Sequence, residues 1–95
     1  MLNFYVVQKR FEEQIYDILK YEITYYDNDE IILQNFVDRF KEYLDLFYSK
    51  YKIEWGVTKS SFGSILIKIQ FEEDPPFGFE FCIDLDMLKQ TNFSI

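Results

Sequence analysis

Residues 64–85 carry the sequence SILIKIQFEEDPPFGFEFCIDL, in which apolar and polar side chains alternate on both sides of an acidic, proline-containing segment. A period of two is typical of strands that bury one face of a sheet. The segment EEDPP at residues 72–76 predicts the turn between two such strands. The apolar positions are Ile65, Ile67, Ile69 and Phe71 before the turn, and Phe77, Phe79, Phe81, Ile83 and Leu85 after it.

The same alternation begins earlier, at Ile53, Trp55 and Val57. Residues 60–63, SSFG, form the predicted turn into the next strand. Short connections favour antiparallel neighbours, so the three strands are predicted to form a meander with the middle strand at its centre. The tail from Met87 onward is expected either to form a short helix or to fray.

Two helices are predicted before the strands. The first runs from about Phe4 to Lys20 and the second from about Glu30 to Ser49, with Asp27 or Asn28 as the cap of the second. Residues 21–26 lie between them and are rich in β-forming side chains, so they are interpreted as a loop, with a short strand as the alternative. The predicted buried positions are Phe4, Val7, Phe11, Ile15, Ile18 and Leu19 in the first helix, and Leu33, Phe36, Val37, Phe40, Leu44, Phe47 and Tyr51 in or after the second.

These elements predict an α+β fold in which two N-terminal helices pack on one face of a three-stranded antiparallel β-meander, in the order ααβββ. The chain has 95 residues, and residues 1–95 are expected to form one compact domain because a second core would not fit. Eleven Phe, eight Tyr and one Trp supply large side chains that offset the thin core of a short chain.

The chain is acidic, with 17 Asp and Glu against 10 Lys and Arg and a formal net charge of −7. Such a chain repels phosphates and anionic lipids, so direct binding of nucleic acid or of a membrane surface is not expected. The N-terminal residues lack the pattern of a signal peptide, and no apolar run approaches the roughly 20 residues that span a bilayer. The sequence therefore predicts a cytoplasmic protein.

The residues that most enzymes use for catalysis are scarce in this chain. Histidine is absent, which excludes histidine acid–base relays and histidine metal ligands. Glu80, Asp84 and Asp86 are predicted to share one strand face with Lys68, but the pairing of an acid and a lysine on one strand that is usual in metal-dependent nucleases is missing. The sequence therefore predicts no enzyme, no cofactor and no metal, and this face is either a solvated surface or a binding surface.

Exposed acids and tyrosines are the candidates for partner binding. Acids at positions 38, 42 and 45 fall within about 60° of one another on a helical wheel, so they form one acidic row on the second helix. Such a row can imitate a phosphate backbone, whereas an ordinary solvated helix face is the alternative. Tyrosines exposed among acids are typical of recognition surfaces. The predicted partner-binding residues are Asp38, Glu42, Asp45, Tyr5, Tyr16, Glu80 and Asp84.

Charge and composition favour a small, non-enzymatic binding protein that inhibits or regulates a basic protein partner. The sharper version of this hypothesis is a DNA-mimic inhibitor of a nucleic-acid-processing enzyme, of the kind that phages and mobile elements encode. One alternative is an immunity protein, since acids and tyrosines also suit the neutralisation of a basic toxin. The other is a structural or oligomerisation module, because edge strands without an interior proline could pair in a homodimer.

Overall fold

A computed structural model describes residues 3–60 and 62–93, the last two of them by their backbone alone. The elements confirm the predicted α+β class, with two helices followed by a three-stranded antiparallel sheet and a short C-terminal helix. The chain divides into two compact units, residues 1–44 (the helical unit) and residues 45–95 (the sheet unit), and a single domain over residues 1–95 stays a prediction. In order, the elements are α1 (Phe4–Tyr25), α2 (Asp29–Phe47), β1 (Ile53–Lys59), β2 (Ser64–Phe71), β3 (Phe77–Asp84) and α3 (Leu85–Phe93).

Helix α1 continues five residues past its predicted end, so the interpretation of residues 21–26 as a loop is wrong for residues 21–25. The reason is that Leu19, Glu22 and Ile23 extend the buried face at helical spacing. The β-branched Thr24 is accommodated because its hydroxyl donates to the carbonyl of Lys20 at 2.7 Å. The helix ends at the extended residue Tyr26.

Asparagine side chains cap both long helices. Asn3 Oδ1 accepts a hydrogen bond from the N–H of Val6 at 3.1 Å. Asn28 Oδ1 accepts from the N–H groups of Glu30 and Ile31 at 2.8 and 3.2 Å, which confirms one of the two predicted caps. Helix α2 then ends at residue 47, two residues before its predicted end.

Phe40 lies at the centre of the helical unit, where it is fully buried. Its ring centroid lies 5.9 Å from that of Phe11 on α1, in an edge-to-face arrangement. On α2 it stacks with Phe36 at 5.5 Å and with Tyr43 at 5.7 Å. These ring contacts pack α1 against α2 with geometries that aromatic pairs favour.

Most of the predicted buried positions are buried, two are exposed, and three are half-buried, namely Leu33, Val37 and Tyr51. Ile32 is fully buried although it was outside the predicted stripe, whereas Phe47 is exposed near the end of α2. Phe4 is exposed at the start of α1. Ile32 is buried because it continues the four-residue spacing of Phe36 and Phe40.

In the sheet unit, β2 is the central strand and pairs antiparallel with both neighbours, as predicted. Ile67, for example, lies opposite Val57 of β1 and Phe81 of β3. Phe71 is fully buried at the end of β2 and is the centre of an aromatic cluster. Its ring centroid lies 4.6 to 6.4 Å from those of Phe77, Tyr51, Tyr48 and Phe79.

Strand β3 passes directly into α3, so Leu85, predicted as the last strand residue, begins the helix and is buried there. Asp84 Oδ1 caps this helix by accepting from the N–H of Met87 at 3.1 Å. The N–H of Leu85 donates to the carbonyl of Gly63 in the β1–β2 turn at 3.3 Å. Ser61 of that predicted turn lies outside the described residues.

An ion pair joins the residues that flank β1 and β2. Lys52 Nζ lies 3.1 Å from Glu72 Oε2, beside a backbone hydrogen bond between the same two residues. The hydrogen bond from Lys52 lowers the pKa of the Glu72 carboxyl below its ordinary value. The same bond to Glu72 raises the pKa of Lys52.

Among residues 3–60 and 62–93, no helix combines the length and the apolar character that a bilayer span requires.

Candidate functional site

The predicted acidic row lies on the surface of α2. Asp38, Glu42 and Asp45 are all exposed. At about 1.5 Å of rise per residue, they follow one another along the helix axis by roughly 6 and 4.5 Å. Gln34 Nε2 donates to Asp38 Oδ1 at 3.1 Å and so orients this carboxylate. The row is therefore a set of accessible negative charges on one rigid element.

The two tyrosines predicted on α1 differ in exposure. Tyr5 is exposed, and Lys9 Nζ lies 6.0 Å from the centroid of its ring. Tyr16 is half-buried and borders a shallow depression together with acids of α1 that include Glu12 and Asp17. Both tyrosines stay outside the fully buried face of the helix, as predicted.

A cluster that the sequence pattern does not single out lies at the end of α1. Tyr21 and Tyr25 are both exposed, and their ring centroids are 4.9 Å apart with a tilt of 51°. Arg39 of α2 places its guanidinium carbon 4.4 Å from the centroid of the Tyr21 ring, which is a cation–π contact. The Nε atom of the same side chain lies 3.6 Å from Glu22 Oε2. Arg39 is thus close to both an aromatic ring and a carboxylate.

Glu22 is only 1% exposed and is the one buried charged residue in the part of the chain that the structure describes. Within that part, its Oε2 atom has no hydrogen-bond partner. The distance to Arg39 Nε is too long for a hydrogen bond. Buried carboxylates are normally paired and hydrogen-bonded, and an unsatisfied buried polar group costs about 1–3 kcal/mol or more. The sequence signal for Glu22 is its position on the apolar face, four residues after Ile18, once α1 extends to Tyr25.

The predicted site residues of β3 have different roles. Glu80 lies opposite Lys68, with 3.8 Å between Lys68 Nζ and Glu80 Oε1, in a pair so exposed that it stabilises the fold by at most about 1 kcal/mol. Asp84 ends the strand and caps α3. Asp86 belongs to α3, so the prediction that it shares a strand face with the other two acids is wrong. No group of three or more His, Cys, Asp or Glu side chains able to hold a metal ion occurs among residues 3–60 and 62–93.

The outer face of the sheet forms an open groove of about 780 Å³. Two strand glycines belong to it, Gly56 opposite Lys68 and Gly78 opposite Gln70. A Cβ atom at Gly56 would meet no described atom within 4 Å, whereas one at Gly78 would come within 2.6 Å of Gln70 Oε1 and 2.8 Å of the Ile69 carbonyl. Internal packing therefore requires glycine at position 78 and not at position 56.

We expect Gly56→Ala to raise the free energy of unfolding by about 0.5–1 kcal/mol, because alanine loses less conformational entropy than glycine in a strand. Gly78→Ala is the matched comparison and should lower the free energy of unfolding, since the new methyl group meets the Ile69 carbonyl. Urea unfolding of both variants measures the two effects. A lower unfolding midpoint for Gly56→Ala than for the unchanged chain would contradict the open space above this residue.

Within the helical unit, Asp38 and Glu42 lie one turn apart on α2 and flank Arg39 in sequence. Within the sheet unit, Glu80 remains an exposed acid of β3 while Asp84 is engaged as a cap. The helical unit thus combines accessible carboxylates with exposed tyrosines and a held arginine. Compared with protein-family models, curated proteins and solved structures, the chain matches none of them.

Proposed function

We propose that this chain is a small acidic binding protein of the cytoplasm that inhibits or regulates a basic protein partner. The observation that carries the proposal is the exposed carboxylate row of Asp38, Glu42 and Asp45 on α2, in a chain whose formal net charge is −7. Charges of one sign on a rigid element attract an oppositely charged surface and orient it on encounter. The exposed tyrosines of α1 add contact area at low entropic cost.

The partner that suits such a row best is the basic groove of a nucleic-acid-processing enzyme. Each strand of DNA carries one negative charge per roughly 3.4 Å of axis. The acids of the α2 row follow one another along the helix axis at about 6 and 4.5 Å, and this spacing is of the same order as that of the phosphates. A groove built to bind phosphates could therefore accept the helix in place of DNA, and the complex would block the enzyme.

Affinity capture from a lysate of the source or host, with identification by mass spectrometry, tests the proposal. Changing all three residues of the row to lysine is expected to weaken capture of the partner by at least about 100-fold, because like charges then face each other. The matched control changes Glu54, Glu73 and Asp74 to lysine, since these acids are also exposed and the change in net charge is the same.

The control variant is expected to keep most of the binding. Equal capture by the two variants would show that net charge alone, and not the α2 row, governs binding. For the DNA-mimic version, binding should fall steeply with salt, and duplex DNA should compete for the partner. Binding that changes neither with salt concentration nor with added duplex DNA would exclude the DNA-mimic version.

A further inference from the structure

Two exposed tyrosines of the helical unit, Tyr21 and Tyr25, lie side by side on α1 and offer aromatic surface to a flat cation. Tyr25 is 66% exposed and its neighbour Tyr21 is also exposed, four residues earlier on the same helix. Exposed aromatic side chains are frequent at the centres of protein interfaces. A guanidinium group stacks on such rings through both cation–π attraction and its planar shape, whereas the ammonium of lysine is a compact point charge.

One ring of the pair, that of Tyr21, already contacts a guanidinium, that of Arg39. This group is shared between the Tyr21 ring at 4.4 Å and Glu22 Oε2 at 3.6 Å. The second distance leaves the buried carboxylate oxygen without a hydrogen bond from any residue that the structure describes. If the Arg39 guanidinium left the Tyr21 ring for Glu22, it would complete that bond, and the face of Tyr21 would then be uncovered.

The surroundings of Arg39 attract a second cation rather than repel it. Asp38 precedes Arg39 on α2 and Glu42 follows it by one turn, and both carboxylates are exposed. They offset the positive charge of Arg39 for an approaching basic group. Once Arg39 pairs with Glu22, its charge is further balanced by a buried partner.

We propose that an arginine side chain of the basic partner protein docks on Tyr21 and Tyr25, pairs with Asp38 or Glu42, and displaces Arg39 onto Glu22. The inference rests on the proposed function and specifies the residue type through which the partner is recognised. Arginine is selected over lysine because only a planar guanidinium replaces Arg39 on the ring. The hydrogen bond gained by Glu22 offsets the stacking that Arg39 gives up.

Two peptides of equal length and charge, hexa-arginine and hexa-lysine, serve as probes in a titration calorimetry experiment. We expect the unchanged protein to bind hexa-arginine about fivefold more tightly than hexa-lysine. Tyr25→Leu should abolish this preference. Phe62→Leu is the matched aromatic-to-leucine control and should keep it, since Phe62 is 87% exposed in the β1–β2 turn, outside the helical unit.

The displacement of Arg39 from the Tyr21 ring onto Glu22 is measured separately, by the NMR signal of the Arg39 Nε–H group. With the protein saturated by hexa-arginine, this signal should move downfield as Arg39 donates to Glu22, and it should not move in Glu22→Leu, which removes the acceptor oxygens. An unmoved signal in the unchanged protein would overturn the exchange. Equal binding of both peptides, or loss of the preference in Phe62→Leu as well, would overturn the inference while the proposed function stands. Binding of neither peptide would contradict the proposed function and the inference together.

Discussion

Phe40→Ala is expected to lower the free energy of unfolding by about 3–5 kcal/mol. The ring is fully buried and contacts Phe11 across the two helices and Phe36 and Tyr43 along α2. Its removal takes away this packing and leaves a cavity that α1 and α2 can close only in part. Since small domains have a total stability of about 5–15 kcal/mol, the loss is a large fraction of the whole. Urea unfolding followed by the helical circular dichroism signal measures it.

Phe47→Ala provides the control on the same helix with the same chemical change. Phe47 is 68% exposed, so its substitution should alter stability by no more than about 0.5 kcal/mol. A similar loss in both variants would mean that helix propensity, rather than burial, sets the effect at position 40.

The same experiment tests the prediction that residues 1–95 form one domain. Trp55 in β1 is the one tryptophan of the chain, so its fluorescence follows the sheet unit. In a single cooperative domain, Phe40→Ala moves the fluorescence transition and the helical transition to the same lower urea concentration. A fluorescence transition that stays in place while the helical one moves would contradict the single domain.

Phe71→Ala is expected to have an effect of the same size, about 3–5 kcal/mol, in the sheet unit. The ring is fully buried and stacks on Phe77 with 4.6 Å between centroids and 13° between planes. It also meets Tyr48 and Tyr51, which follow α2, edge to face. The alanine variant therefore removes a ring that contacts both the neighbouring strand and the segment before the sheet.

Two control variants, Phe71→Leu and Phe62→Ala, are compared with Phe71→Ala by urea unfolding. Leucine keeps most of the buried volume, so its cost should stay below about 1.5 kcal/mol. Phe62 is 87% exposed in the β1–β2 turn, and its alanine variant should lie within about 0.5 kcal/mol of the unchanged chain. A cost for Phe62→Ala close to that of Phe71→Ala would contradict the assignment of the core.

The sheet could be predicted from the sequence because its signal is local. Alternation from Ile65 to Phe71 defines the buried face of β2, and the short turns leave little choice of strand order. The end of α1 could not be predicted in the same way. The β-forming residues of the segment 21–25 favoured a loop or strand, and the burial of Ile23 beside Leu19 overrode that propensity.

The same distinction between local signals and tertiary contacts applies to the candidate site. The exposure of Asp38 and Glu42 follows from their position opposite the apolar face of α2, so the pattern alone was sufficient. The contact of Arg39 with Tyr21 and Glu22 depends on which faces of α1 and α2 meet, and no local pattern contains that information. The sequence therefore predicts single-helix surfaces well and misses the contacts made between helices.

Asp84 illustrates how a short chain restricts the use of its surface. It is the final residue of β3, and its carboxylate caps α3, so that no loop separates the strand from the helix. An acid at this position thus has an architectural role as a helix cap. Glu80, an exposed acid of the same strand, can be substituted without the loss of that cap.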